Sequence, residues 1–147
     1  MKPSIKETIK IIIADDHPLF RRGLKHALEE TSDIEVIGEA SNGDNLLSMI
    51  KNDNIDMVLL DISMPGKSGL DLLKQLKSEH SKLPILILSV YPEEQYAVRF
   101  IKAGASGYLT KESAAEKLAE AIRKIAAGGK YASTAVIEKL AFDFSDS

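Results

Sequence analysis

Short apolar runs and amphipathic segments alternate five times along this chain, and no other feature restricts its fold as much. Ile9–Ala14, 57–60 and 84–90 are nearly continuous apolar stretches, ending at Asp15, at Asp61 and near Ser89. Runs this short and this apolar belong to strands of a parallel sheet covered on both faces. Ile34–Ala40 instead interleaves Glu35 and Glu39 with apolar residues, as an edge strand with one wetter face does. Gly107–Thr110 is a shorter and weaker fifth candidate.

Helical patterns fill the intervals. Phe20, Leu24, Ala27 and Leu28 share one face after Pro18, a residue suited to a first turn. Leu46, Leu47 and Ile50 mark a second helix. Ser68 and Asp71 form a weak capping box ahead of Leu72, Leu73 and Leu76. Ala97, Phe100 and Ile101 mark a fourth helix, closed by Gly104. Ser113 and Glu116 make a stronger capping box before Leu118, Ala121, Ile122 and Ile125, with Gly128 and Gly129 as the stop. Five strand-then-helix pairs predict an α/β fold: a doubly wound, five-stranded parallel sheet with right-handed crossovers and helices on both faces. After Gly129 the rhythm breaks. The pattern over 134–141 predicts two helical turns on Val136, Ile137, Leu140 and Ala141, and 142–147 reads as a tail ending in small and acidic residues.

A chain of 147 residues has room for one domain and a short appendage, with core enough to fold unaided by disulfide or structural metal. Cysteine is absent, which excludes disulfide scaffolds, thiolate zinc sites and cysteine nucleophiles and fits a reducing cytosol. Residues 1–10 are polar and lysine-bearing, and the apolar run that follows is too short for a signal segment or a membrane span. The expected setting is therefore cytoplasmic, with no membrane partner. Nineteen basic against 22 acidic residues give a net charge of −3, and only Arg21-Arg22 and scattered lysines supply positive charge. Nucleic-acid binding draws most of its affinity from cations on phosphates, so these residues are not expected to grip DNA by themselves.

Ligands of an open α/β sheet bind at the carboxyl ends of its strands, near the point where strand order reverses. There the sequence places Asp15 and Asp16 after the first strand, Asp61 after the third, Ser89 at the fourth and Lys111 after the fifth. Three carboxylates brought into one cleft repel one another unless a cation bridges them. Magnesium suits such a set: it takes oxygen ligands, keeps several waters, and commonly uses one or two carboxylates together with phosphate oxygens. Each residue also has an ordinary structural use. Asp15-Asp16 serves as a solvated loop or helix cap, Asp61 as a turn residue before Met64-Pro65-Gly66, Ser89 as a backbone partner, Lys111 as a surface charge and Tyr108 as half-buried packing. His17, beside Pro18, reads as structural rather than as a ligand, and His26 and His80 carry no case for catalysis. Joint placement on successive strand ends is what points to a site.

Asp15-Asp16-His17-Pro18-Leu19, Leu60-Asp61-Ile62-Ser63-Met64-Pro65-Gly66, Leu88-Ser89 and Gly104-Ala105-Ser106-Gly107-Tyr108-Leu109-Thr110-Lys111 together resemble the receiver domain of bacterial two-component response regulators. The resemblance runs over residues 9–131, and its wording is similar to the branch whose members carry a C-terminal helix-turn-helix of the LuxR type. It implies strand order 2-1-3-4-5. Residues 1–8 would be an N-terminal extension and 132–147 the start of a linker to an output domain absent from this chain. Asp61 would accept a phosphoryl group from a sensor histidine kinase. Asp16, Asp61 and the backbone carbonyl of Ser63 would ligate Mg2+ directly, with Asp15 acting through water. Lys111 and Ser89 would bind the phosphoryl oxygens, and Ser89 with Tyr108 would form the switch, the tyrosine turning inward on phosphorylation. The resemblance further implies regulated transcription, DNA contact only through the output domain, and a homodimer as an option on phosphorylation. It implies no enzyme in the ordinary sense, but an acceptor that assists its own phosphorylation and dephosphorylation. Two other classes fit less well. An aspartyl-nucleophile phosphatase wants a second acid where Ser63 stands, and a flavodoxin-like mononucleotide binder wants a phosphate-cradling loop where Asp15-Asp16 repels phosphate. A stand-alone receiver working through protein contact remains the alternative output.

Overall fold

The computed structural model describes residues 8–52 and 54–145, so all but Thr8 of the expected N-terminal extension and the last two residues of the tail lie outside the described residues. Strands β1 (Ile9–Ala14), β2 (Ile34–Ala40), β3 (Met57–Asp61), β4 (Ile85–Ser89) and β5 (Gly107–Thr110) alternate with helices α1 (Pro18–Glu29), α2 (Gly43–Asn52), α3 (Gly69–Glu79), α4 (Glu93–Lys102) and α5 (Lys111–Ala126), and α6 (Thr134–Ser145) follows. The strands pair in parallel in the order β2-β1-β3-β4-β5. Both the doubly wound sheet and its order match the expectation, and β2 is the edge strand that its interleaved glutamates indicated.

Alternate residues of each central strand feed two separate apolar layers, as the period-two geometry of a strand requires. Ile12, Val58, Leu60, Ile85 and Ile87 pack with Leu46 of α2, Leu73 and Leu76 of α3, and Phe100 of α4. Ile11, Ile13, Met57, Leu59 and Leu86 pack with Leu24 and Leu28 of α1 and Leu118 and Ile122 of α5. Burial on both faces explains why these strands read as unbroken apolar runs. Register then aligns the carboxyl ends. Ala14 pairs with Leu60, which sets Asp15 beside Asp61, and Ser89 pairs with Thr110, which sets Lys111 next along.

Helix ends follow local chemistry where the cap is local. Pro18 opens α1, the Ser68 hydroxyl accepts from the Asp71 N–H at 3.2 Å to open α3, and Gly104, at φ +117°, closes α4. Two boundaries differ from expectation. α5 begins at Lys111, ahead of the Ser113 box, because β5 delivers an extended Thr110 straight into the helix; Ser113 sits in the first turn with its hydroxyl 2.9 Å from that of Thr110. α6 continues past Ala141 to Ser145. Its later turns are tied down by Asp143, which meets Lys102 of α4 at 2.8 Å and Lys139 at 3.4 Å. Beyond β5 the open sheet edge is capped by Tyr131, whose carbonyl accepts from Tyr108 and whose N–H donates to Ser106. Among the described residues no helix is long and apolar enough to cross a membrane.

Candidate functional site

Two strand ends carry the same local device. The Asp15 carboxylate accepts the backbone N–H of His17 at 2.7 Å, and the Asp61 carboxylate accepts that of Ser63 at 3.0 Å. Each aspartate thus bends the chain out of its strand through a bond two residues ahead and is itself fixed in orientation. The Ser63 hydroxyl adds a second bond to the same Asp61 Oδ1, at 2.8 Å. Oδ2 of Asp61 is left facing Lys111, 3.2 Å away.

Asp15 and Asp61 are buried, Asp16 is partly exposed, and Lys111 reaches across from the start of α5. Its ammonium lies 3.0 Å from Asp15 Oδ2 and 3.2 Å from Asp61 Oδ2 while resting 4.5 Å from the centre of the Phe20 ring. At that distance the aromatic face attracts the cation. The acids remain short of hydrogen bonds: Asp16 Oδ1 is a buried oxygen that accepts none, and Asp15 Oδ2 has the Lys111 ammonium as an ion-pair partner without a hydrogen bond. Buried acceptors without donors are costly, and a hard cation is the partner they fit. One donor atom from each of Asp15, Asp16, His17 and Asp61 lies within 4.8 Å of the other three. Magnesium therefore suits the oxygens present, as the sequence indicated.

Farther along the same edge, the buried Ser89 hydroxyl accepts the Tyr91 N–H at 2.9 Å, and the Tyr108 hydroxyl donates to the Tyr91 carbonyl at 2.9 Å. Tyr108 is fully enclosed rather than half-buried, its ring centre 6.3 Å from that of Phe100. Burial raises the Tyr108 phenol above the ordinary tyrosine range, with Ser89 pulling partly the other way.

All five side chains placed at the strand ends, and Tyr108 from the resemblance, lie along this edge, and the structure adds three more. His17 turns its Nδ1 into the cluster, 3.1 Å from Asp15 and 3.3 Å from Asp16, where the sequence favoured a purely structural part. Its adjacency to Asp16 was the available signal. Phe20 lies beneath Lys111, and Arg21 donates both to the Asp15 carbonyl and to Glu39, whose carboxyl that hydrogen bond holds below the usual range. No local pattern announces either contact, since each crosses between elements.

Residues 11–123 match the family model described as "Response regulator receiver domain". The "Transcriptional regulatory protein DegU" of Brevibacillus brevis is 38% identical over 123 residues, covering 84% of this chain and 52% of its own length. The chain thus spans about half of that relative. A LuxR-family two-component response regulator from Aurantimonas sp. SI85-9A1 superposes with a TM-score of 0.83 at 28% identity, over 95% of this chain and 99% of that one. A structure of two RcsB dimers bound to two parallel DNAs gives a TM-score of 0.82 at 26% identity, over 91% of this chain and 68% of that one. With the acidic edge, the lysine and the serine–tyrosine pair already placed on the expected sheet, the chain belongs to the response regulator receiver family.

Proposed function

We propose that this domain receives a phosphoryl group on Asp61 from a sensor histidine kinase and relays the change to a C-terminal DNA-binding domain. The carrying observation is Asp61 itself: a buried carboxylate whose Oδ1 is fixed by two Ser63 donors while Oδ2 faces the Lys111 ammonium. A carboxylate oxygen attacks phosphorus, the bond from phosphorus to the donor imidazole breaks, and its electron pair stays on the imidazole nitrogen. Hydrolysis of the resulting acyl phosphate returns the carboxylate and inorganic phosphate. Such transfers pass through a loose transition state, so the protein's contribution is positioning and charge. Lys111 supplies a fixed positive charge at the acceptor oxygen, and Ser63 holds the acceptor's rotamer. Mg2+, held by Asp16, Asp61 and the Ser63 carbonyl with Asp15 through water, would neutralise phosphoryl charge.

For output, Ser89 is the hydroxyl placed to turn toward the phosphoryl oxygens. Doing so frees the Tyr91 N–H while Tyr108 still holds the Tyr91 carbonyl, which shifts the segment leading into α4. DegU, a longer transcriptional regulator, and RcsB, whose dimers bind DNA, support transcriptional output through residues beyond the receiver. A cytoplasmic setting fits a kinase donor of this kind. Incubation with Mg2+ and a small acyl phosphate should add one phosphoryl mass to the intact chain, and Asp61→Asn should remove it. Undiminished labelling of the variant at a peptide mapped elsewhere would sink the assignment.

A further inference from the structure

We propose that His17 supplies an imidazole nitrogen to the cation site of Asp15, Asp16 and Asp61, so that the site favours borderline first-row cations such as Ni2+ and Co2+ more than an all-oxygen receiver site would. The inference rests on reading the acidic edge as a cation site. His17 Nδ1 lies 3.1 Å from Asp15 Oδ1, 3.3 Å from Asp16 Oδ1 and 3.8 Å from Asp61 Oδ2. It also lies 3.4 Å from the Lys111 ammonium, the one positive centre already paired with Asp15 and Asp61. The ring is not placed there by packing, since the side chain is 59% exposed. Its backbone places it: His17 stands at the N-cap of α1 in an extended conformation, with its N–H locked to Asp15 Oδ1.

One of the oxygens it faces, Asp16 Oδ1, is buried and accepts no hydrogen bond, while Asp15 Oδ2 has the Lys111 ammonium at 3.0 Å as its ion-pair partner. Asp16 Oδ1 is therefore the buried acceptor that a cation at this point would satisfy. In the tautomer protonated at Nε2, the Nδ1 lone pair joins these oxygens around one centre. Imidazole nitrogen suits nickel, cobalt and zinc, whereas magnesium prefers oxygen and retains its waters. Nitrogen donation therefore separates the two cation classes. A ring that only hydrogen-bonds Asp15 would orient a carboxylate and affect both classes alike.

The test is calorimetric titration of the whole chain and of His17→Gln with NiCl2 and with MgCl2, after thermal melts confirm that both fold. The variant should lose about tenfold or more in Ni2+ affinity, the scale on which metal-site partners act, while Mg2+ affinity stays within about threefold. Equal losses for both cations overturn the proposal in favour of a positioning ring, and no loss for either overturns it outright. Asp16→Ala should weaken both cations. If it weakens neither, the cation site itself is misread, whatever His17 does. His26 lies 3.9 Å from Glu29 on the far part of α1, so His26→Gln checks for stray surface binding and should leave the Ni2+ titration unchanged. Proton NMR with Co2+ gives a second readout on the unmodified chain. The His17 ring N–H should move far outside the diamagnetic range, while His26 and His80, the remaining histidines, stay within it. A His17 signal that does not move rules the ligand out.

Discussion

One residue, Tyr91, stands between Ser89 and Tyr108. Ser89 accepts the Tyr91 N–H and Tyr108 donates to the Tyr91 carbonyl, both at 2.9 Å, so a change at Ser89 reaches Tyr108 through a single residue. Tyr108→Phe keeps the ring and removes the hydroxyl. It should cost roughly 1 kcal/mol in urea unfolding near neutral pH, the usual net value of one hydrogen bond. The pH dependence has a definite sign. Burial raises the folded-state pKa of Tyr108 above its ordinary 10.0, so the folded chain keeps the proton more firmly than the unfolded one. Its contribution is complete below pH 10.0 and falls as pH rises through the folded value. The wild-type advantage over Tyr108→Phe should therefore hold up to about pH 10 and shrink from there towards about pH 11. Tyr131, whose phenol burial also raises, remains in both proteins and cancels. An advantage that stays constant over this range would count against the assignment. Ser89 was legible in sequence because it sits at a strand end, where an apolar run stops; Tyr108 was named through the family resemblance, and Tyr91 was not singled out. The orientation of the His17 ring and the cradle of Phe20 under Lys111 were not legible, because rotamers and contacts between elements leave no periodic trace.

Elements place the site through a few close approaches. Gly69 opens α3 so near Ile62 that a Cβ there would lie 2.5 Å from the Ile62 Cβ and 2.8 Å from its Cα and carbonyl oxygen. Relief requires backbone movement at the residue following Asp61. Gly69→Ala should thus lower stability by about 1–3 kcal/mol, as overpacking does, and should also slow acyl-phosphate labelling of Asp61. Destabilisation in a melt with labelling unchanged would show that α3 shifts while Asp61 stays. At the other end, Val136 seats α6 against α4 within the layer that contains Phe100 and Tyr108. Val136→Ala removes two buried methyl groups and should cost roughly 1.5 kcal/mol by the burial scale, seen as a lower denaturant midpoint. An unchanged midpoint would mean that α6 contributes nothing to the folded domain. Strand positions were readable because both faces of the sheet are buried, and the edge strand was readable because one face is wetter. The start of α5 and the length of α6 were not. The first depends on how β5 hands over at Thr110, and the second on Lys102, 41 residues from its partner Asp143.

For the molecule as a whole, charge is arranged against nucleic acid. The net charge is −3, and three carboxylates gather at the carboxyl edge of the sheet. After Gly129 the only cations are Lys130 and Lys139, set against Glu138, Asp143 and Asp146. Lys139 is already paired with Asp143, and so is Lys102 from the neighbouring helix. Specific recognition needs side chains that reach base edges as well as cations on phosphates, and α6 presents neither in quantity. Binding that rests on a few phosphate contacts is weak and falls steeply with salt. Phosphorylation at Asp61, as proposed, would add further negative charge and so work against phosphate contacts by this domain. Titrated against labelled duplexes of several sequences at low salt, this chain should show at most weak and sequence-indifferent binding, phosphorylated or not. That binding should vanish on raising salt to physiological strength. A complex that discriminates among the duplexes and survives the added salt would overturn the reading and make the receiver itself a DNA-binding unit.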